Sequence, residues 1–197
     1  MSHYFTNDPS PMITREITAT VFGRELVFTT ANGVFSGSRL DLGTSVLLRT
    51  VAPPEQGRVL DLGCGFGPIA VGIAAASPGV RVDAVDVNER ALALTRMNAE
   101  RARVADRVRT FSPEDAVYDE IWSNPPIRIG KKALHELLLT WLPRLKPDGV
   151  AYLVVSKNLG ADSLTTWLTE QEWPTEKLAS AKGFRVLKVR RDGDSPA

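Results

Sequence analysis

The stretch Val59-Leu60-Asp61-Leu62-Gly63-Cys64-Gly65-Phe66-Gly67-Pro68-Ile69-Ala70 decides the fold of this chain. A short apolar run rich in β-forming residues leads into closely spaced glycines, and Pro68 then opens an apolar stretch that predicts a helix over residues 67–76. Glycines let the backbone turn sharply and approach a ligand that side chains would obstruct. We therefore expect a strand, a turn and a helix that together present backbone N–H groups to a ligand.

The glycine spacing and the nearby acids favour a nucleotide cofactor with an amino-acid tail. The spacing is G-x-G-x-G and not the G-x-G-x-x-G of a dinucleotide fingerprint, which disfavours NAD. Asp61, at the end of the strand, can accept a hydrogen bond from an ammonium group or a bridging water. Asp86 ends the next apolar run, where an acid can accept both hydroxyls of a ribose. Asp86 or Asn88 could also cap the helix that begins near Glu89, and we assign the cap to Asn88. A plain strand-to-helix turn is the alternative interpretation of the glycines.

Composition narrows the class of protein. The chain has 197 residues and a net charge of +1, so nucleic-acid binding must use a local basic patch. No apolar run reaches the roughly 18 residues of a membrane span, and no signal peptide is evident.

Cys64 is the single cysteine and lacks a paired histidine, so we interpret it as a small loop residue and not a nucleophile. His3 and His135 form no metal-binding pattern, and no metal is expected. We expect a cytoplasmic protein with one domain over residues 1–197, a disordered tail at 192–197 and no membrane partner; a monomer is favoured.

Predicted strands and helices alternate from residue 58 onward. Strands are predicted at 58–62, 81–86, 107–111, 118–123, 149–156, 176–181 and 184–190, and helices at 67–76, 89–102, 131–144 and 161–171. The leading segment contains a predicted strand at 25–30, a turn at 31–33, a loop or hairpin at 33–43 and a helix at 44–51. Such alternation implies parallel strands joined by right-handed crossovers, with helices on both faces. The short Lys182-Gly183 link demands an antiparallel hairpin, so we predict an α/β fold with a mostly parallel sheet whose last strand is antiparallel.

A second motif, Ser123-Asn124-Pro125-Pro126, follows the predicted strand at 118–123. Ligands of open α/β sheets bind at the carboxyl ends of the strands, so Asn124 should lie on the same edge as Asp61 and Asp86. An exocyclic amine is a poor nucleophile because its lone pair is delocalised, and a useful site accepts hydrogen bonds from both its N–H groups. The Asn124 side-chain oxygen and the Pro125 carbonyl can do this, while the prolines stiffen the loop. Alone, the motif could be a turn that ends a strand. Together, the two motifs predict methyl transfer to an NH2 nitrogen by positioning and electrostatics.

The segments Asp61-Leu62-Gly63-Cys64-Gly65 and Asn124-Pro125-Pro126 resemble the motif pair of class I S-adenosylmethionine (SAM)-dependent amino-methyltransferases. More narrowly, nearly the whole chain is similar to the catalytic domain of the small-subunit ribosomal RNA guanine-N2 methyltransferases (RsmC-like) and to their short single-domain relatives. The narrower resemblance is carried by His3-Tyr4-Phe5, by Gly33-Val34-Phe35-Ser36 with Leu40-Asp41-Leu42-Gly43-Thr44, and by Gly183-Phe184-Arg185-Val186-Leu187-Lys188. Larger members of the family carry an additional N-terminal half that helps bind RNA, which we do not expect in this chain.

The resemblance implies a Rossmann-like sheet of seven strands, with SAM across the first two and S-adenosyl-L-homocysteine as the product. By this resemblance, Asp61 and the glycines that follow it line the methionine end of SAM. Asp86 binds the ribose hydroxyls, and Asp115 faces the adenine amine. The cofactor-binding residues implied in this way are Asp61, Gly63, Cys64, Gly65, Gly67, Asp86, Val87 and Asp115, with Gly43 and Thr44 closing over the cofactor. The residues implied to face the target amine are Asn124, Pro125, Pro126 and Ile127. The last of these positions is often aromatic in the family and stacks on the target base, whereas here it is isoleucine.

Two basic clusters are candidates for contact with phosphate groups. Arg128, Lys131 and Lys132 directly follow the second motif, and we expect them to bind RNA, as ribosomal RNA or an assembled subunit. The second cluster, for which a solvated charged face is equally open, consists of Lys182, Arg185, Lys188, Arg190 and Arg191.

Two other functions use the same residues. One is N-methylation of a protein amide or a small molecule, for which a narrow neutral cleft would be expected instead of a basic surface. The other is a non-enzymatic module that binds SAM or RNA. The presence of Asn124 argues against that module, since a pure binder has no need of this acceptor.

Overall fold

A two-stranded hairpin precedes a seven-stranded mixed sheet in the computed structural model, which describes residues 7–191. The hairpin consists of β1 (Thr14–Val21) and β2 (Arg24–Ala31). The elements that follow are α1 (Leu42–Thr50), β3 (Gln56–Leu62), α2 (Pro68–Ala76), β4 (Gly79–Val85), α3 (Glu89–Arg101), β5 (Val108–Arg109), β6 (Tyr118–Ser123), α4 (Lys131–Trp141), β7 (Leu145–Ser156), α5 (Ala161–Glu170), β8 (Thr175–Ala181) and β9 (Phe184–Arg190). None of the helices in residues 7–191 combines the length and the apolar character that crossing a bilayer requires.

The strand order in the large sheet is β5-β4-β3-β6-β7-β9-β8. Strand β9 runs antiparallel to both β7 and β8, and the other neighbouring strands pair in parallel. The link Lys182-Gly183 has positive φ at both residues, 55° and 78°, as in a two-residue type I′ hairpin. The predicted α/β fold with an antiparallel last strand is therefore confirmed.

Helices cover both faces of this sheet, as predicted. One apolar cluster joins α1, α2, α3 and the hairpin to one face, and a second cluster joins α4 and α5 to the other. Neighbouring residues of β3 show the alternation, because Val59 belongs to the first cluster and Leu60 to the second. This central strand is buried on both faces, which holds its carboxyl end in a fixed position.

The N-terminal hairpin packs on α2 and α3 through a close approach. A Cβ atom on Gly72, inside α2, would lie 2.4 Å from Val21 Cγ1, so only glycine fits there without movement. On α3, the buried Asn98 side chain accepts from the Thr29 N–H (2.7 Å) and donates to its carbonyl (2.9 Å). Strand β2 was predicted from the sequence, but β1 was not, and only the final residue of β1, Val21, is fully buried. A strand this exposed has too weak an apolar pattern to be recognised.

Three predicted boundaries need correction. The strand predicted at 107–111 is only Val108–Arg109, and the Phe111 ring lies outside the sheet, 58% exposed, with the Arg109 guanidinium 5.2 Å from its centroid. Strand β7 begins before the predicted residue 149, because an irregularity in its pairing with β6 accommodates the turn-like Pro147-Asp148-Gly149. The helix predicted at 131–144 ends at Trp141, and a short 3-10 turn containing a proline follows it. The predictions for His3-Tyr4-Phe5 and for a disordered tail at 192–197 lie outside the described residues.

Candidate active site

Three strand ends form the centre of the site. Strand β3 lies between β4 and β6, and the three are parallel, so Asp86, the glycine loop and Asn124 follow neighbouring strands at one edge of the sheet. We call this edge, formed by the carboxyl ends of the parallel strands, the carboxyl edge. It is where open α/β sheets bind their ligands.

Asp61 is a buried carboxylate, and one of its two oxygens has no hydrogen-bond partner within residues 7–191. Its Oδ2 accepts from the Ala70 N–H at 3.0 Å, while its Oδ1 is buried and has no hydrogen-bond partner among residues 7–191. Burial raises the pKa of Asp61 from 3.8 to about 7, and the nearby negative charge of Asp86 adds to the effect. A cationic donor placed at Oδ1 would satisfy the unpaired oxygen and favour the ionised form. The ammonium group of an amino-acid tail fits this position.

The glycine loop allows a ligand to come close to the backbone but has few backbone N–H groups free to bind it. Its amides are used internally: those of Gly63 and Cys64 donate to the Val85 carbonyl (2.9 and 3.0 Å), that of Gly65 to Asp86 Oδ2 (2.9 Å) and that of Gly67 to the Cys64 carbonyl (2.9 Å). The expectation that these N–H groups face a ligand was therefore wrong. A Cβ on Gly63 or Gly65 would meet nothing within 4 Å, so the loop borders open space there. A loop with this shape suits a cofactor without a pyrophosphate group.

Two of the predicted loop residues face the core. The Cys64 side chain is buried with its Sγ 3.5 Å from Thr95 Oγ1, and burial raises the pKa of the thiol, which stays protonated. A Cβ on Gly67 would lie 2.9 Å from the same Thr95 oxygen, so this glycine allows α2 and α3 to pack closely. The side of the loop that carries Cys64 and Gly67 thus packs against α3.

Asp86 is held in place by the backbone. Its Oδ2 accepts from Gly65, and its Oδ1 accepts from the Asn88 N–H at 2.9 Å. Asn88 caps α3 by accepting from the Arg90 N–H (3.0 Å), which confirms the assignment of the cap. Burial raises the pKa of Asp86. The side chain of Val87 beside it is 73% exposed and is available to an apolar ligand surface. Fixed carboxylate oxygens of this kind retain lone pairs for two ribose hydroxyls.

Asp115 lies elsewhere. It is exposed in the segment just before β6, at the amino end of that strand, where Arg144 Nε donates to the Ala116 carbonyl at 2.9 Å. The structure does not bring it to the carboxyl edge, and its role toward adenine stays a prediction. Phe111, which the sequence analysis missed, follows β5 on that edge beside β4 and exposes its ring. An aromatic residue directly after a strand was the signal that could have identified it.

The Asn124 carboxamide is oriented by residues far away in sequence. Its Nδ2 donates to Asp41 Oδ2 at 2.8 Å and to Thr44 Oγ1 at 3.1 Å. Asp41 also caps α1 by accepting from the Thr44 N–H at 3.0 Å. A carboxylate can only accept, so the amide nitrogen must face Asp41. Within residues 7–191 these are the side chain's only hydrogen bonds, and its Oδ1 is left free. Asp41 was not among the predicted site residues, although it lies in a stretch that carried the family resemblance.

The residues after Asn124 form a tight turn. Pro126 has φ −76° and ψ 77°, and the Ile127 N–H donates to the Pro125 carbonyl at 2.9 Å, as in an inverse γ-turn. The Pro125 carbonyl therefore has one lone pair in use and one remaining. Ile127 is partly buried and packs against the second apolar cluster, and its aliphatic side chain offers no ring on which a base could stack. Gly43 also serves packing, because a Cβ there would lie 2.8 Å from the Phe184 ring.

The two basic clusters differ in position. Arg128, in the 3-10 turn Ile127–Ile129, and Lys131 and Lys132, at the start of α4, are exposed beside the Asn124 turn. The second cluster is dispersed: Arg185 pairs with Asp162, Arg190 pairs with Glu176 (2.9 Å), Arg191 donates to the Pro143 carbonyl (2.9 Å), and Lys182 lies in the β8–β9 turn. This second candidate cluster is therefore not one surface, because the alternation and length of β9 separate its members. His135 stacks on Trp167 at 3.6 Å, and no group of potential metal ligands occurs within residues 7–191.

This sheet order, with Asp61 and a glycine loop at the end of β3 and Asp86 directly after β4, defines a class I SAM-dependent methyltransferase. A family model described as methyltransferase small domain matches residues 25–188, and the chain belongs to that family. The methyl donor is SAM. Asp61 Oδ1, the open space at Gly63 and Gly65, and the fixed Asp86 carboxylate fit this cofactor.

Similar proteins include both short and longer chains. The chain is 31% identical over 197 residues to an uncharacterised protein, YbxB, of Bacillus subtilis, and the match covers 96% of this chain and 98% of YbxB. It is 35% identical over 164 residues to ribosomal RNA small subunit methyltransferase C of Actinobacillus succinogenes, a match that covers 80% of this chain and 48% of that protein. The chain thus spans about half the length of such relatives.

The T. thermophilus 16S rRNA N2 G1207 methyltransferase, solved with AdoMet and guanosine, has a similar fold. Its TM-score to this protein is 0.80 at 24% identity, with 93% of this chain and 52% of that chain covered. A ribosomal protein L11 methylase from Lactobacillus delbrueckii shares the fold at a TM-score of 0.62 and 19% identity, with 77% of each chain covered.

Proposed function

We propose that this protein transfers a methyl group from SAM to the exocyclic N2 of guanine in ribosomal RNA. The observation that carries the proposal is the free Oδ1 of Asn124, left available because Asp41 and Thr44 hold the amide nitrogen. The printed names of the longer relatives and of the T. thermophilus enzyme support an RNA substrate and a guanine N2 acceptor. Because the proposed substrate is ribosomal RNA, we also propose that the protein acts in the cytoplasm.

The acceptor residues would activate the amine by orientation. Asn124 Oδ1 and the remaining lone pair of the Pro125 carbonyl would accept the two N–H hydrogens, which aims the nitrogen lone pair at the methyl carbon. As the N–C bond formed and the S–CH3 bond of the sulfonium broke, the nitrogen would gain positive charge, which both oxygens would stabilise until one N–H proton passed to solvent. Asp41 strengthens the effect, since a carboxylate bonded to the amide nitrogen polarises the carboxamide. When bound, SAM supplies an electrophilic methyl group on a sulfonium, and S-adenosyl-L-homocysteine is the product.

We also propose that Arg128, Lys131 and Lys132 bind RNA phosphates beside the pocket that Asn124 and Pro125 would form for the target amine. The first turn of α4 contains no acidic residue, and Gly130 gives the helix no side-chain cap. Two lysines in this first turn are unfavourable toward the helix dipole, and a bound phosphate would offset that repulsion. The pair Lys132–Glu136, 3.9 Å apart and largely exposed, is too weak to neutralise the cluster.

The test is methyl transfer from labelled SAM to ribosomal RNA and to small ribosomal subunits, with mass spectrometry of the digested nucleosides. We expect labelled N2-methylguanosine with the wild type, and its formation with Asn124→Ala to be slower by about 100-fold or more. Label in protein or in small molecules, with unlabelled RNA, would refute the RNA substrate and support the alternative N-methylation. Labelled RNA with a different methylated nucleoside would refute only the guanine N2 assignment.

A further inference from the structure

Two hairpins of the molecule turn in the same way, but only one has a packing reason for its first turn residue. Phe22-Gly23 and Lys182-Gly183 are both two-residue turns with positive φ throughout: 50° and 74° in the first, 55° and 78° in the second. Type I′ turns favour Asn-Gly, because most other L residues are sterically strained at positive φ. The Phe22 ring packs edge-on against Trp122, with centroids 6.1 Å apart. Lys182 is exposed and forms no ion pair with any residue in 7–191.

The Lys182 turn lies on the same edge as the proposed pocket for the target amine. Strand β9 is antiparallel to β7, so the first residues of β9 lie beside the last residues of β7. The Lys157 N–H donates to the Gly183 carbonyl at 2.9 Å, which ties exposed Lys157 to the turn. β7 and β9 are the next two strands after β6, which ends before Asn124. Strands in a sheet lie about 5 Å apart, so both lysines are within about 10 Å of that strand, measured across the sheet.

We propose that Lys157 and Lys182, the lysine pair, hold the RNA backbone on the β7–β9 side of the pocket. The inference rests on the RNA substrate proposed above. A base that enters the pocket leaves its phosphates outside, on the carboxyl edge, where long ammonium side chains can reach them. Together with the cluster at the start of α4, the lysine pair would bind phosphates on a second side of the target nucleotide. Strain at an exposed residue is a reason to look for function, and a cation in a turn on this edge supplies one.

The variant Lys182→Asn tests strain and charge together, because it gives the turn its favoured residue and removes the cation. We expect its Tm to rise by about 2–4 °C. We expect RNA binding to weaken, and the slope of log Kd against log salt concentration to fall by about 0.7 for each phosphate that the variant no longer binds. The double variant Lys157→Gln/Lys182→Asn should lower that slope by about 1.4. Lys177→Gln is the matched control, since Lys177 is an exposed lysine near the other end of β8.

The probe is a fragment of small-subunit ribosomal RNA, titrated at several salt concentrations. Slopes for the lysine-pair variants equal to that of Lys177→Gln would overturn the inference, and RNA methylation by the wild type would then leave the proposed function standing. An unchanged or lower Tm for Lys182→Asn would remove the argument from strain and overturn the assignment of Lys182. A wild type that neither binds nor methylates RNA would refute the proposed function and the lysine pair together.

Discussion

The two halves of the candidate active site are built in different ways. The cofactor half, residues 61–88, is one continuous segment whose glycine loop and acids are joined by bonds to the backbone. The acceptor half joins Asn124 to Asp41 and Thr44, 83 and 80 residues earlier, through side chains. The cofactor half therefore depends on contacts within one βαβ unit, whereas the acceptor half depends on the packing of α1 beside the end of β6. Substitutions in the first half should therefore change SAM affinity, and those in the second should change the rate of methyl transfer.

The largest effect in the cofactor half is expected for Asp61→Asn. The isosteric amide can still accept from the Ala70 N–H but offers no charge to a cationic ligand. We expect the Kd for SAM, measured by calorimetry, to rise about 10- to 100-fold. Asp106→Asn makes the same change at an exposed site and should leave the Kd unaltered. Equal affinities for the Asp61 variant and the wild type would show that this carboxylate does not contact the cofactor.

The same variant should stabilise the cofactor-free protein. Because the folded-state pKa of Asp61 is raised from 3.8 to about 7, this group's contribution to stability is lost as the pH rises through that range. The asparagine carries no such cost, so its free energy of unfolding should exceed that of the wild type by up to about 4 kcal/mol at pH 8, and by less at pH 5. Denaturant unfolding at the two pH values measures the difference. A gain that is larger at pH 5 would contradict the raised pKa.

In the acceptor half, Asp41→Ser should slow methyl transfer without weakening SAM binding. Serine is also a good helix N-cap, so α1 keeps its cap, but the shorter side chain cannot reach Asn124. The freed carboxamide can flip, and we expect a rate about 10- to 30-fold lower at saturating substrates, with a Tm close to that of the wild type.

Asp41→Asn separates orientation from charge in the same position. Its side-chain oxygen can still accept from Asn124 Nδ2 and the Thr44 N–H, so most of the rate should be retained. Equal losses in the serine and asparagine variants would indicate that the charge of Asp41, and not the orientation of Asn124, matters.

SAM affinity of the wild type should depend on pH through Asp61. Below a pKa of about 7, protons compete with the cationic cofactor for the carboxylate, so affinity should fall about fivefold from pH 7 to pH 6 and rise about twofold from pH 7 to pH 8. Titrations across this range test the expectation. The Asp61→Asn variant is the control, because its weaker affinity should no longer vary with pH in this range.

The smallest effect is expected at Cys64. Burial raises the pKa of its thiol well above the ordinary range, and the side chain packs beside Thr95 and not toward the open side of the loop. Iodoacetamide at pH 8 should leave the folded protein unmodified and react only after unfolding in guanidinium, as mass spectrometry would show. Rapid alkylation that SAM prevents would place this thiol in the cofactor site.

The sequence predicted most of the fold because its signals were local. The bounds of β6 and β9 agree with the predicted 118–123 and 184–190, and the Lys182-Gly183 link predicted the antiparallel hairpin. Strand β1 was not predicted because most of its residues are exposed. The start of β7 was not predicted because a turn-like segment lies within the strand.

The site shows the same division between local and distant signals. The two acids and the glycines could be placed from one segment, whereas the hydrogen bond from Asn124 to Asp41 joins residues 83 positions apart. No pattern within a single segment encodes such a contact. Spacing in sequence also grouped Arg185, Arg190 and Arg191 with Lys182, although the structure gives each arginine its own partner.

The most direct test of the central claim is a pair of values for Asn124→Ala: its Kd for SAM, and its rate of methyl transfer in a single turnover. If Asn124 acts on the acceptor nitrogen, the Kd should stay within about twofold of the wild type while the rate falls about 100- to 1,000-fold, as when one oriented hydrogen-bonding group is removed from an active site. A rise in Kd that accounts for the loss of rate, or an unchanged rate, would contradict the division of the site into a cofactor half and an acceptor half.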